Sequence, residues 1–208
     1  MNNADVHRAG SAGVQAPRGL NHVVLNVSDI EASHRFWTEI MGFRCVAALK
    51  STPERPRPTM RFYSGLGAHG ELSHHDLALA EVPRAEATDD TGRPAWALSP
   101  KRIGLNHVAI AWPDRESWLK QIAFLKEKGV PFHRRINHGM THSVYISDPD
   151  GHGIEVLYEL PREVWEGDID AAQNYTETLP TEGAESLVDR LDNPVFQAPP
   201  ASPARGRS

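Results

Sequence analysis

The chain has one cysteine, Cys45, among 208 residues. That excludes an internal disulfide and suits a reducing, cytoplasmic setting. It has no apolar run near the roughly 20 residues needed to cross a bilayer as a helix, so no membrane partner is expected. Basic side chains are not in excess either: 22 Lys and Arg stand against 27 Asp and Glu, a net charge of −5. A nucleic-acid surface needs a basic face, and this balance argues against one. The first 18 residues, MNNADVHRAGSAGVQAPR, lack the apolar segment of a secretory signal and read as a disordered leader.

What the chain does have is a repeat. GLNHVVLNVSDIEASHRFW begins at Gly19, and GLNHVAIAWPDRESWLKQI begins at Gly104. The offset from His22 to His107 is 85 residues, and at that offset Asp29 matches Asp114 and Glu31 matches Glu116. This is too long for a solenoid repeat and points to a duplicated small module.

Each copy parses alike. LNHVVLNV is a strand and SDIEASHRFWTEIMG a helix, capped by Ser28 or Asp29 and stopped at Gly42. FRCVAAL, TMRFYSG and HHDLALAEV are further strands between Pro- and Gly-rich turns. In the second copy, LNHVAIAW is a strand and DRESWLKQIAFLKEKG a helix ending at Gly129. PFHRRINH, HSVYISD and GIEVLYEL are its later strands. The expectation is an α+β protein of two tandem βαβββ modules, about 19–82 and 103–160, forming an open, barrel-like mixed sheet. Between them runs a long polar loop, PRAEATDDTGRPAWALSPKR, suited to function or dimer contact. Residues 161–208 form a C-terminal extension. Its first part reads as short helices or irregular cover, and it reads as disordered from about Asn193.

Chemistry concentrates on the strands. Side chains alternate along a strand, so His22, Val24 and Asn26 share a face, as do His107, Ala109 and Ala111. Two histidines at repeat-equivalent positions would meet across a shared cavity if the modules pack about a pseudo-twofold axis. Glu155 follows the tight turn DPDGHG inside an apolar strand, between Ile154 and Val156. A buried carboxylate needs a compensating partner, and a metal ion shared with two imidazoles is one.

These residues and the duplicated module resemble the vicinal-oxygen-chelate superfamily of glyoxalases, bleomycin-resistance proteins and type I extradiol dioxygenases. The resemblance runs from Gly19 to about Leu160 and is strongest to the one-domain extradiol catechol dioxygenases. It implies the metal ligands His22, His107 and Glu155, a two-histidine, one-carboxylate set that suits Fe(II), with Mn(II) the alternative. It also implies His75, in SHHDLALAE, as acid–base catalyst, and Tyr145 as a hydrogen-bond donor to bound oxygen. His138 is the implied oxygen-stabilising histidine, with His142 the alternative on the opposite strand face. The implied partners are a catecholic small molecule and O2, and the implied assembly is a homo-oligomer. Two rival activities share the fold: a metal-dependent isomerase or lyase of the glyoxalase and epimerase kind, and a metal-free binding protein. The isomerases usually take a fourth ligand, Glu or Gln, from the last strand of module one. Here that strand offers alanine and leucine at its centre and Glu81 at its far end.

Overall fold

The computed structural model describes residues 19–67, 69–82, 104–183 and 195–197. The leader, the inter-module loop, residues 184–194 and the tail from 198 lie outside them. Nine strands and four short α-helices are formed by the described residues. No helix among them is long and apolar enough to cross a membrane.

The first sheet is built from β1 (Val23–Val27), β2 (Arg44–Ala48), β3 (Met60–Ser64) and β4 (Leu77–Glu81), in the order β1-β4-β3-β2. The second is built from β5 (His107–Ala111), β6 (Arg134–Asn137), β7 (Thr141–Ser147) and β8 (Gly153–Glu159), in the order β5-β8-β7-β6, with β9 (Glu177–Leu179) added beyond β6. Both modules therefore follow one plan. The first strand pairs in parallel with the last, and the hairpins between are antiparallel. The α+β class and the doubled βαβββ order are those the repeat predicts. The strands form two mixed sheets, one per module.

A helix crosses one face of each sheet. In module one, α1 (Ile30–Arg35) starts at Asp29, whose carboxylate accepts the N–H groups of Glu31 and Ala32. Asp114 caps α2 (Arg115–Glu127) through the N–H of Ser117. The two caps are repeat-equivalent, so the duplication extends to helix initiation. Ser28 does something else. Its N–H and hydroxyl donate to Asp150, in the DPDGHG turn, as does the hydroxyl of Ser33. That turn, Ser147–His152, accordingly clusters with residues 19–82 as one compact unit, while 104–146 and the residues from Gly153 onward make the other.

The predicted first helix does not stay α-helical to its end. After Arg35 it widens into a π-turn, Phe36–Ile40, where Met41 N–H donates to Phe36 O at 2.9 Å. Inserting one residue rotates the face, so that adjacent Phe36 and Trp37 both point inward with Leu25, Val27 and Ile30. In α2, Trp118, Ile122 and Leu125 follow helical spacing and are fully buried. The Trp118 indole N–H donates to Val156 O at 2.9 Å, pinning α2 to β8. Covered on that side, β8 presents Glu155 on its other face.

The extension is partly as read: α3 (Arg162–Trp165) and α4 (Ile169–Asn174) are short helices. Glu177–Leu179 differs, forming a strand on β6 instead of irregular cover. Three residues do not announce a strand by alternation, and the free edge of β6 organises them.

Candidate metal centre

The second unit gathers four of the predicted side chains. His107, at the head of β5, brings Nε2 to 2.9 Å from Glu155 Oε2. Tyr145 donates its hydroxyl to Glu155 Oε1 at 3.0 Å. His138 Nε2 lies 3.0 Å from the same phenolic oxygen. A phenol has one proton, so with that proton donated toward Glu155 the Nε2–H of His138 donates to the Tyr145 oxygen. The order is His107, Glu155, Tyr145, His138, each one hydrogen bond from the next.

Register explains why they meet. Ala109 is paired with Glu155 across the parallel β5–β8 ladder, so His107 and Glu155 share a face two residues apart along the sheet. Tyr145 and Ser143 point to that face from β7. Ser143, fully buried, hydrogen-bonds the Glu155 carboxylate. The sequence reading missed it, although a serine two residues before Tyr145 must share its face. His142 points the other way, as alternation requires, and stacks on Tyr158 at 5.4 Å.

Glu155 is 6% exposed. Burial pushes its carboxyl up, but hydrogen bonds from His107, Ser143 and Tyr145 outweigh that and hold it below the ordinary range. Burial, then the Glu155 charge, pushes the Tyr145 phenol well above its ordinary value, so it keeps its proton. His138 is pushed down, chiefly by burial, against the opposing pull of Glu155.

The first unit holds two further predicted residues, His22 and His75. His22 lies just ahead of β1, its ring centroid 4.4 Å from that of His75. His75 also contacts Phe62 on β3 at 5.0 Å and shares a 2.8 Å Nδ1–Nδ1 contact with His74. Burial, followed by the imidazoles of His22 and His74, lowers its pKa. The neighbouring Asp76 accepts Gly65 N–H at 2.8 Å and the Ser73 hydroxyl at 2.8 Å, so its carboxylate is committed to the 64–73 loop.

One detail is written twice. Asn21 Oδ1 lies 2.7 Å from His22 Nδ1, and Asn106 Oδ1 lies 2.6 Å from His107 Nδ1. Each asparagine accepts the Nδ1–H of the histidine after it. In a neutral imidazole that leaves Nε2 as a bare lone pair. At His107 that nitrogen stands 2.9 Å from Glu155 Oε2, a contact bridged by a proton when Nε2 donates and by a metal ion when both atoms act as ligands. Two donors in neighbouring positions on an octahedral ion, with bonds of about 2.1 Å, stand roughly 3 Å apart. The His107–Glu155 pair therefore fits a divalent metal. Among the described residues no group of three or more His, Cys, Asp or Glu side chains is gathered closely enough to hold one. The second unit supplies a pair, and the third predicted ligand, His22, belongs to the first.

Residues 19–156 match the family described as the Glyoxalase/Bleomycin resistance protein/Dioxygenase superfamily, and the chain belongs to that superfamily. Its relatives include the catechol-2,3-dioxygenase of Bacillus subtilis (strain 168), 29% identical over 172 residues that cover 82% of this chain and 51% of that protein. The lactoylglutathione lyase of Schizosaccharomyces pombe (strain 972 / ATCC 24843) is 27% identical, covering 66% and 46%. That of Pseudomonas putida is also 27% identical, covering 68% and 86%. The chain thus spans about half the length of the Bacillus and Schizosaccharomyces proteins, and dioxygenases and lyases are equally similar to it. Among solved structures, a glyoxalase/dioxygenase from Nostoc punctiforme matches with a TM-score of 0.49 at 20% identity, over 73% of this chain and all of that one.

Proposed function

We propose that the protein is an extradiol ring-cleaving dioxygenase that opens a catecholic substrate at Fe(II) held by His22, His107 and Glu155, with Mn(II) the alternative ion. One observation carries this reading over the lyase. In module two, Ala109 is paired with Glu155; in module one, Val24, its equivalent at the offset of 85, is paired with Ala78. The place where module one would offer a second carboxylate holds a methyl group. Asp76, just ahead of β4, is committed to the 64–73 loop, and Glu81, at the far end of β4, accepts the N–H of Ile30 at 3.1 Å and serves the start of α1. Three protein ligands leave open positions for a bidentate substrate and O2, whereas four leave too few.

The reaction adds both atoms of one O2 and breaks the ring C–C bond beside a hydroxylated carbon. The ion, when bound, holds both reactants within reach of each other and spreads the developing charge. The protein's side chains handle the protons. His75, against His22, takes a proton from the catechol and returns one as the O–O bond breaks. Tyr145, kept protonated, donates to Glu155 or to a reacting oxygen beside it. His138 holds the phenol in place. Buried Ser143 fixes the carboxylate.

The test is an aerobic assay of the Fe(II)-loaded protein on a catechol panel, following oxygen uptake and the yellow ring-fission product. A lactoylglutathione lyase assay runs alongside. Oxygen consumed one-to-one with catechol supports the proposal. His75→Gln should then keep its iron and lose roughly 10²–10⁴ in rate. Turnover of the hemithioacetal without oxygen uptake would instead favour the lyase, which has the near full-length Pseudomonas putida similarity behind it.

A further inference from the structure

The residues beyond the superfamily match converge on one turn. β9 pairs antiparallel with β6, setting Asn137 opposite Glu177. The Asn137 side chain donates to Glu177 Oε2 at 3.4 Å and accepts the N–H of Gly139 at 2.8 Å. Phe196, within the stretch whose composition reads as disordered, is docked by its N–H to Val164 O at 2.8 Å. Its ring meets that of Tyr175 at 5.8 Å.

Both rings press on Gly139. A Cβ there would stand 2.7 Å from a Phe196 ring carbon and 3.1 Å from Tyr175 Cδ1. Gly139 also has φ +76°, the left-handed region that a side chain disfavours. The turn is therefore held by the Asn137 side chain and by two aromatic rings. His138 sits between Asn137 and Gly139, its N–H donating to Thr141 O at 2.9 Å and its ring bonded to Tyr145.

We propose that Phe196, seated with Tyr175 on Gly139, is a positioning residue for His138: the C-terminal extension clamps the Asn137–Gly139 turn and thereby fixes the imidazole against Tyr145. Without the clamp the turn keeps its backbone bonds but loses the packing that selects one ring position. The kinetic consequence rests on the dioxygenase reading. The structural consequence does not.

The test therefore has two arms, both on the full chain. In the first, the ¹⁵N-labelled imidazole signals are recorded without metal and assigned with His138→Gln. Phe196→Ala should shift and broaden the His138 signal, leave those of His22 and His107 in place, and be largely rescued by Phe196→Leu. Tyr175→Leu, which removes the other ring over Gly139, should reproduce the effect, so the test survives a Phe196→Ala protein that does not fold. In the second, Phe196→Ala should lower kcat on catechol roughly 10-fold or more, with KM and iron content unchanged. It should cost nothing further in a His138→Gln background. An unmoved His138 signal in folded Phe196→Ala or Tyr175→Leu overturns the proposal, as does a kcat loss that adds to that of His138→Gln. A moved signal in a protein with no catechol activity supports the clamp and counts against the dioxygenase reading instead.

Discussion

At the scale of residues, the repeated Asn-His pairs are the most informative feature. A histidine ligand is useful when one nitrogen is fixed as donor and the other left as lone pair, and Asn21 and Asn106 meet that need in both modules. Asn106→Leu should weaken metal binding by roughly 10–100-fold, the usual cost of losing such a partner. Asn106→Asp should retain it, because a carboxylate accepts the same Nδ1–H. Titration of Fe(II) or Mn(II) into the two purified variants, read calorimetrically, decides the matter. Equal affinity in wild type and Asn106→Leu would show the asparagine to be irrelevant to the metal. Asparagine before histidine was visible in GLNHV from the start. Its role was not, because adjacent strand residues point to opposite faces, and contact between their side chains comes from local geometry at a strand's mouth.

At the scale of elements, the parallel ladders set the chemistry. A one-residue slip of β8 against β5 would turn Glu155 toward α2 and replace it with an apolar side chain. The matching ladder in module one fixes Ala78 beside Val24. Ala78→Glu should therefore set a carboxylate beside His22 as Glu155 stands beside His107. A metal with this fourth ligand should be held at least as well, while catechol turnover falls steeply because an open position has been filled. Undiminished turnover in a folded Ala78→Glu protein would mean that the register is not what separates dioxygenase from lyase. Much of this level was legible in advance. The offset of 85, the match of Asp29 with Asp114, and the alternation separating Tyr145 from His142 all follow from residue spacing; that Asp29 and not Ser28 caps α1 does not. The π-turn and β9 were not legible. The first depends on which of two bulky neighbours, Phe36 and Trp37, the core admits, and the second on an edge supplied by a strand 40 residues earlier.

At the scale of the whole molecule, the residues proposed for the centre fall in two units. His22 and His75 belong to one; His107, Glu155, Tyr145 and His138 belong to the other. The proposal requires both units to serve one ion, and metal stoichiometry tests this most directly. Iron content after anaerobic loading should be measured for the wild type and for His22→Ala, His107→Ala and Glu155→Ala, with circular dichroism to confirm folding. The account predicts one Fe(II) per chain in the wild type and loss of tight binding in each variant alone. Stoichiometric iron retained by folded His22→Ala would contradict it.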